Sequence, residues 1–253
     1  MSATDRLNSE QVFHDHQAQE RAAVFARRPG SLFFEDDLYL DHETWIRPAF
    51  HQLGDLQGQQ VLDYGCGHGM AAVVLARRGA RVTAFDLSGG YLEEARRRAG
   101  ANGVIVDLVQ ADGERLPFRA GSFDRVWGNA VLHHLPLDSA VRELHRVLRP
   151  GGVAVFCEPW GENPVLTWAR CRLPYPEKGR TPDEQPLRRQ HLPLLRKVFP
   201  RMEVQGFQLL SMARRVLPRG RLTAGLDWCD DLLLSRVPRL QNYCRYVVLT
   251  LRR

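Results

Sequence analysis

The 253 residues predict an α/β fold: a doubly wound, seven-stranded sheet, mostly parallel, with an antiparallel C-terminal hairpin and a helical cap. Three observations carry this expectation. Between residues 58 and 158, short apolar runs alternate with stretches of helical length, the rhythm of a parallel sheet covered on both faces. The first of those runs ends in a cluster of glycines. After residue 158 the rhythm breaks, and two more strand-like runs, 203–210 and 243–251, flank an apolar helix at 222–235, as in a hairpin with a helical insertion.

Taken in order, residues 1–30 read as one or two polar helices with Phe13 and Val24-Phe25 as anchors, and 42–53 reads as a helix. Residues 61–64 form a short strand entering the glycines. A helix at 69–78 carries Val73, Val74 and Leu75, and a second strand at 81–85 precedes a charged helix at 91–99. Strands at 104–109 and 123–127 follow, the latter announced by Gly121-Ser122. The helix at 138–148 places Val141, Leu144, Val147 and Leu148 on one side, and Pro150-Gly151-Gly152 is read as its terminator. A fifth strand occupies 153–157. Residues 160–189, rich in Pro, Arg and Trp, are read as irregular with short helices, before a helix at 191–198. The organisation is thus a helical cap at 1–53, a core at 54–158, and a part at 159–253 that completes the sheet around a basic substrate-cap insertion.

A hydrophobic content of 44% is enough for one sizeable core. Mean hydropathy is −0.33, and no apolar run approaches the ~18 residues of a spanning helix. The polar first thirty residues lack the apolar centre of a secretory signal, so a cytoplasmic location is expected. The five cysteines are odd in number and contain no CxxC pair, so neither a disulfide framework nor a metal site is expected. Charge is uneven: residues 1–159 carry 17 Lys+Arg against 21 Asp+Glu, and residues 160–253 carry 18 against 8. A basic cap suits an anionic partner, or is simply a solvated arginine-rich face.

The sharpest motif is Val61-Leu62-Asp63-Tyr64-Gly65-Cys66-Gly67-His68-Gly69, a strand, a glycine turn and a helix start. Glycines permit positive φ and close backbone approach, and ligands of open α/β sheets bind beyond the strand carboxyl ends. A nucleotide-like cofactor is therefore expected here. The dinucleotide fingerprint is not met, because Met70 stands where its third glycine belongs, and Asp63 would repel a pyrophosphate while suiting a cationic amino group. Asp86, at the end of the second strand, is placed to accept ribose hydroxyls. Asp112, in Gln110-Ala111-Asp112-Gly113, is placed to accept an adenine amino group. Gly128-Asn129-Ala130 ends the fourth strand. As a structural alternative, Asp86 and Asp112 would cap helices.

These stretches, VLDYGCGHG, AFDLS, ADGERLPF, SFDRVWGNAVLHHL and HRVLRPGG, resemble in order and spacing the class I methyltransferases that use S-adenosylmethionine (SAM), especially the small-molecule group containing ubiquinone and menaquinone methyltransferase-like proteins. The resemblance spans about residues 58–158. It implies a Rossmann-like core, SAM as cofactor and S-adenosylhomocysteine (SAH) as product. It implies that Asp63, Gly65 and Gly67 contact the methionine part, Asp86 the ribose and Asp112 the adenine, with Asn129 near the methyl donor through its backbone. Leu87 and Gly113 belong to the same cofactor-binding set.

The family has no invariant catalytic residue, so candidates come from position alone. His133 and His134 follow the fourth strand and Glu158 ends the fifth, and each is a candidate proton acceptor. Pairing with an arginine is the structural alternative for Glu158. Tyr39 and His42 are candidate substrate contacts that, with Trp45, either close over the ligands or form a small aromatic core. Arg180 either binds a carboxylate or phosphate bidentately or pairs with Asp183 or Glu184. The expected activity is methyl transfer to a small-molecule acceptor, in secondary metabolism or lipid-quinone synthesis, on O, N or C. Nucleic acid is not an expected partner, since the basic residues show no RNA-binding module. The competing readings are a nicotinamide-dependent oxidoreductase and a non-catalytic SAM-binding subunit. Met70, Asp63 and the lack of a Tyr-x-x-x-Lys pair weigh against the oxidoreductase.

Overall fold

The computed structural model describes residues 3–27, 29–172, 185–215, 217 and 220–253. Seven strands, β1 (Gln60–Tyr64), β2 (Arg81–Asp86), β3 (Val106–Gln110), β4 (Phe123–Asn129), β5 (Leu148–Pro159), β6 (Arg201–Phe207) and β7 (Tyr246–Arg252), form one sheet in the order β3-β2-β1-β4-β5-β7-β6. The first five run parallel, and β7 lies antiparallel between β5 and β6. Strand order reverses beside β1, so its carboxyl end and that of β4 open onto a crevice.

Strand side chains alternate between two cores. Val61, Val82, Ala84 and Trp127 pack with α2 (Asp36–Leu40), α3 (Ile46–Gln52), α4 (Met70–Arg77) and α5 (Gly89–Ala101). Leu62, Phe85, Val126 and Phe156 pack on the other face with α6 (Leu137–Val147) and α8 (Leu192–Val198). In α6, Ala140, Val141, Leu144 and Val147 are all fully buried, a spacing that keeps one helical stripe against the sheet. Burying a leucine such as Leu144 contributes about 1.5–3 kcal/mol.

Element boundaries shift from the sequence reading, two of them for local reasons. The 42–53 helix is shorter, with turns and bends at 42–45, because Pro48 is tolerated only in a first turn. Starting α3 at Ile46 puts it there, and Arg47 clamps the preceding turn through Asp37 and Asp41. The α6 helix stops at Val147, before Pro150-Gly151-Gly152. Leu148 already pairs with Phe123, and the glycines form an irregularity within β5 before Val153 pairs with Arg125.

The N-terminal helix α1 (Ala3–Arg27) lies against α5. Its attachment is polar. Asp15 accepts hydrogen bonds from the Ser88 hydroxyl at 2.5 Å and the Gly90 amide at 3.2 Å. Arg21 forks onto Glu94 at 3.0 and 2.8 Å, and Tyr91 donates to Gln17 at 2.9 Å. The insertion contributes α7 (Pro164–Arg172) and α9 (Arg221–Arg236). Among the described residues, no helix is long and apolar enough to cross a membrane.

Candidate active site

At the carboxyl end of β1 the chain turns sharply. Gly65 has φ +67°, and a Cβ there would stand 2.5 Å from Val131 Cγ2. Gly65→Ala is accordingly expected to destabilise the fold by about 1–3 kcal/mol, from overpacking and a left-handed backbone; denaturant unfolding at wild-type stability would contradict this. Gly69, at φ +79°, lets α5 approach until its own Cβ position is 2.6 Å from that of Ala95. The turn is pinned to β2 by the Gly67 amide, which donates to Asp86 Oδ2 at 2.8 Å, while Asp86 Oδ1 accepts from the Ser88 amide at 2.9 Å.

Around this turn is a cavity of about 260 Å³, bounded by the ends of β1, β2 and β4 and by α1. Asp63, Gly65, Gly67, Asp86, Leu87, Asp112, Gly113 and Asn129 all line it. Asp63 is 2% exposed, and its Oδ2 has no hydrogen-bond partner. Burial, reinforced by the nearby charge of Asp86, pushes its carboxyl up to about 8. Burial likewise raises Asp86, against the pull of the Ser88 and Gly67 amides. Asn129 Oδ1 is a second buried oxygen with no partner. Polar atoms buried in this way cost on the order of 1–3 kcal/mol each unless a ligand satisfies them. Asp112 accepts from the Glu114 amide at 2.9 Å, and the Gly113 carbonyl accepts from the Tyr64 hydroxyl at 2.6 Å. His68, also lining the cavity, is pushed down to about 4 by burial and is a neutral imidazole near pH 7.

The candidate catalytic and substrate residues separate. Glu158 is fully buried and lies outside the cavity lining. Its Oε1 accepts from the Val131 and Leu132 amides at 3.0 and 2.8 Å, and its Oε2 meets His133 Nδ1 at 2.7 Å. The carboxylate thus anchors the segment after β4 from beneath, and His133 is engaged in the same anchor. Its partner is this loop, not an arginine. Just before the anchor, Ala130 is held at φ +58°, a left-handed conformation costing about 1–2 kcal/mol for a residue with a side chain. His134 does face the cavity, as does Tyr39, whose hydroxyl accepts from Trp127 Nε1 at 3.2 Å. His42 is exposed and not part of the lining. Trp45 stacks on Tyr246 at 3.9 Å, an aromatic core contact. Arg180 lies outside the described residues.

The sequence reading missed Leu7, Glu10 and His14, which α1 brings into the lining. The one available signal was the i, i+4 spacing of Glu10 and His14, which places both on one helical face.

A family profile described as a methyltransferase domain matches residues 62–156. A malonyl-[acyl-carrier protein] O-methyltransferase of Enterobacter lignolyticus is 45% identical over 98 residues, 38% of this chain and 38% of the relative. A ubiquinone biosynthesis O-methyltransferase of Methylocella silvestris is 44% identical over 100 residues, 39% of each chain. The chain therefore spans about two fifths of the length of these curated relatives. The solved geranyl diphosphate C-methyltransferase of Streptomyces coelicolor superposes with a TM-score of 0.58 over 82% of this chain and 77% of that one, at 18% identity, a likeness of fold. The glycine turn, the strand-end acids and the first strands of the sheet thus lie on the residues that match the methyltransferase-domain profile.

Proposed function

We propose that the chain is a SAM-dependent methyltransferase acting on a small-molecule acceptor in the cytoplasm, within secondary metabolism or lipid-quinone synthesis. The observation that carries this reading is Asp63: a buried carboxylate with an unpartnered oxygen, at the cavity wall between the glycine turn and Asp86. An ammonium group satisfies it, and a pyrophosphate does not. Asp63, Gly65 and Gly67 hold the methionine part. Asp86 retains a lone pair on each oxygen beyond its backbone bonds for the ribose hydroxyls, with Leu87 beside it. Asp112 and Gly113 border the adenine, and Asn129 lies near the methyl donor.

SAM supplies a methyl group on a sulfonium, already a good leaving group. The protein aligns a nucleophile with it, and such positioning is worth ~7–11 kcal/mol. The chain is read in three parts, a cap at 1–53, a cofactor core at 54–158 and a sheet-completing part at 159–253, and the position of the cavity under α1 supports the first of them. The excess of arginine after residue 159 favours an anionic acceptor, and the two O-methyltransferase relatives favour oxygen as the atom methylated. The methyltransferase profile leaves the nicotinamide reading without support.

Calorimetric titration with SAH, and separately with NADH, tests the proposal. SAH alone is expected to bind, one per chain. Binding of NADH alone, or of neither, overturns it. Transfer of labelled methyl from SAM to hydroxyl and carboxyl acceptors then separates an enzyme from a SAM-binding subunit with no turnover.

A further inference from the structure

Three side chains to which the cofactor assignments give no role meet in the cavity wall. Glu10 and His14 sit one turn apart on α1, and His134 comes from the segment after β4. Glu10 is 5% exposed, so its carboxyl is held in a buried place. Its Oε2 lies 3.4 Å from His14 Nε2 and 3.4 Å from His134 Nδ1. One ligating atom from each of the three lies within 4.8 Å of the other two.

These separations are informative. An N–H···O hydrogen bond usually spans ~2.7–3.2 Å, shorter than both contacts. Around a tetrahedral ion with bonds of ~2.1 Å, neighbouring ligand atoms stand about 3.4 Å apart. The two imidazole nitrogens, within 4.8 Å of each other, need close by at most about 1.4 Å to complete such a face. Two imidazoles and one carboxylate suit a zinc-class ion rather than Mg²⁺ or Ca²⁺, which take oxygen sets. Three protein ligands with a fourth position open is the pattern of catalytic rather than structural zinc. All three residues line the cavity, so the open position faces it.

We propose that Glu10, His14 and His134 bind one divalent transition-metal ion, and that its open position takes the acidic oxygen of the methyl acceptor. The metal site stands on its own geometry; the role toward the acceptor rests on the methyltransferase reading. An acceptor hydroxyl or carboxyl replaces the metal-bound water and releases its proton to solvent. An oxygen lone pair then forms the O–CH₃ bond as the S–CH₃ bond breaks, and that electron pair stays on sulfur to give the neutral thioether. A metal makes such an oxyanion available at neutral pH.

The test uses the full chain stripped with chelator, then titrated with Zn²⁺ by calorimetry and with Co²⁺ by visible absorption. One ion per chain is expected, with the intense visible bands of a four-coordinate Co²⁺. His14→Ala and His134→Ala are each expected to weaken binding at least tenfold, with far-UV circular dichroism unchanged. His16→Ala, an exposed histidine of the same helix, is expected to bind as wild type does. No ion bound by the wild type, or binding retained in both His14→Ala and His134→Ala, overturns the site. SAH titration of the metal-free chain keeps the two readings separate: metal without SAH sinks the methyltransferase proposal and leaves the metal site standing, and SAH without metal does the reverse.

Discussion

Replacing Glu158 with alanine is expected to destabilise the chain by about 3–5 kcal/mol, since each buried polar group left without its partner costs on the order of 1–3 kcal/mol. The substitution takes their shared partner from the amides of Val131 and Leu132 and from the imidazole of His133, all three held against a fully buried side chain. For a domain of this size that corresponds to a fall in melting temperature on the order of 10 °C. Glu158→Gln retains one carbonyl for the two amides and turns its amide group toward His133, so a loss of about 1–3 kcal/mol is expected. Thermal and urea unfolding of both variants read this directly. The alternative seen in the sequence, Glu158 as a proton acceptor in turnover, makes the opposite prediction: Glu158→Gln with near-native stability and a collapsed turnover. The geometry favours the anchoring role, since the side chain points under the loop and not into the cavity.

Glu158 also illustrates what the sequence carries and what it does not. A glutamate ending a fifth strand is legible from the short apolar run before it, as are the strand ends at Asp63, Asp86 and Asn129. A parallel sheet makes each strand a brief apolar segment with its chemistry immediately after. The direction of the Glu158 side chain is not legible, because it depends on how the loop after β4 folds back across β5. The same holds for α1. Its inward face bears Glu10, His14, Asp15 and Arg21, with Leu7 and Ala18 among them, so no continuous apolar stripe announces that it packs at all. Its partners, Ser88, Gly90 and Glu94, lie more than seventy positions along the chain. Where a helix docks through polar contacts, periodicity has nothing to report. The boundary errors have local causes. Pro48 fixes the start of α3 more firmly than the surrounding propensity does, and the pairing of Leu148 with Phe123 ends α6 before its proline and glycines are reached.

The affinity for SAH is expected to rise with pH up to about 8, and this follows from Asp63. In the free chain, burial and the neighbouring Asp86 push its carboxyl up to about 8, so near neutrality it is largely protonated. A ligand ammonium is best met by the carboxylate, and binding near pH 7 must therefore expel close to one proton. Affinity then climbs about tenfold per pH unit below the free-state value and levels off above it. Calorimetry in two buffers of different ionisation enthalpy measures the released proton, which is expected to approach one at pH 6 to 7 and to diminish above pH 8. The sign for stability is the reverse. A carboxyl raised in the folded state favours folding while protonated, so stability without ligand is lost as pH rises from about 4 toward 8. Asp63→Asn keeps the shape and removes the charge. It is expected to bind SAH on the order of 30-fold more weakly, to release no proton, and to unfold at higher denaturant than wild type at pH 8 in the absence of ligand. Wild-type affinity in Asp63→Asn, or binding that tightens as pH falls, would refute the ammonium assignment. The two effects together describe one trade: the charge that destabilises the free protein is the charge that selects the cofactor.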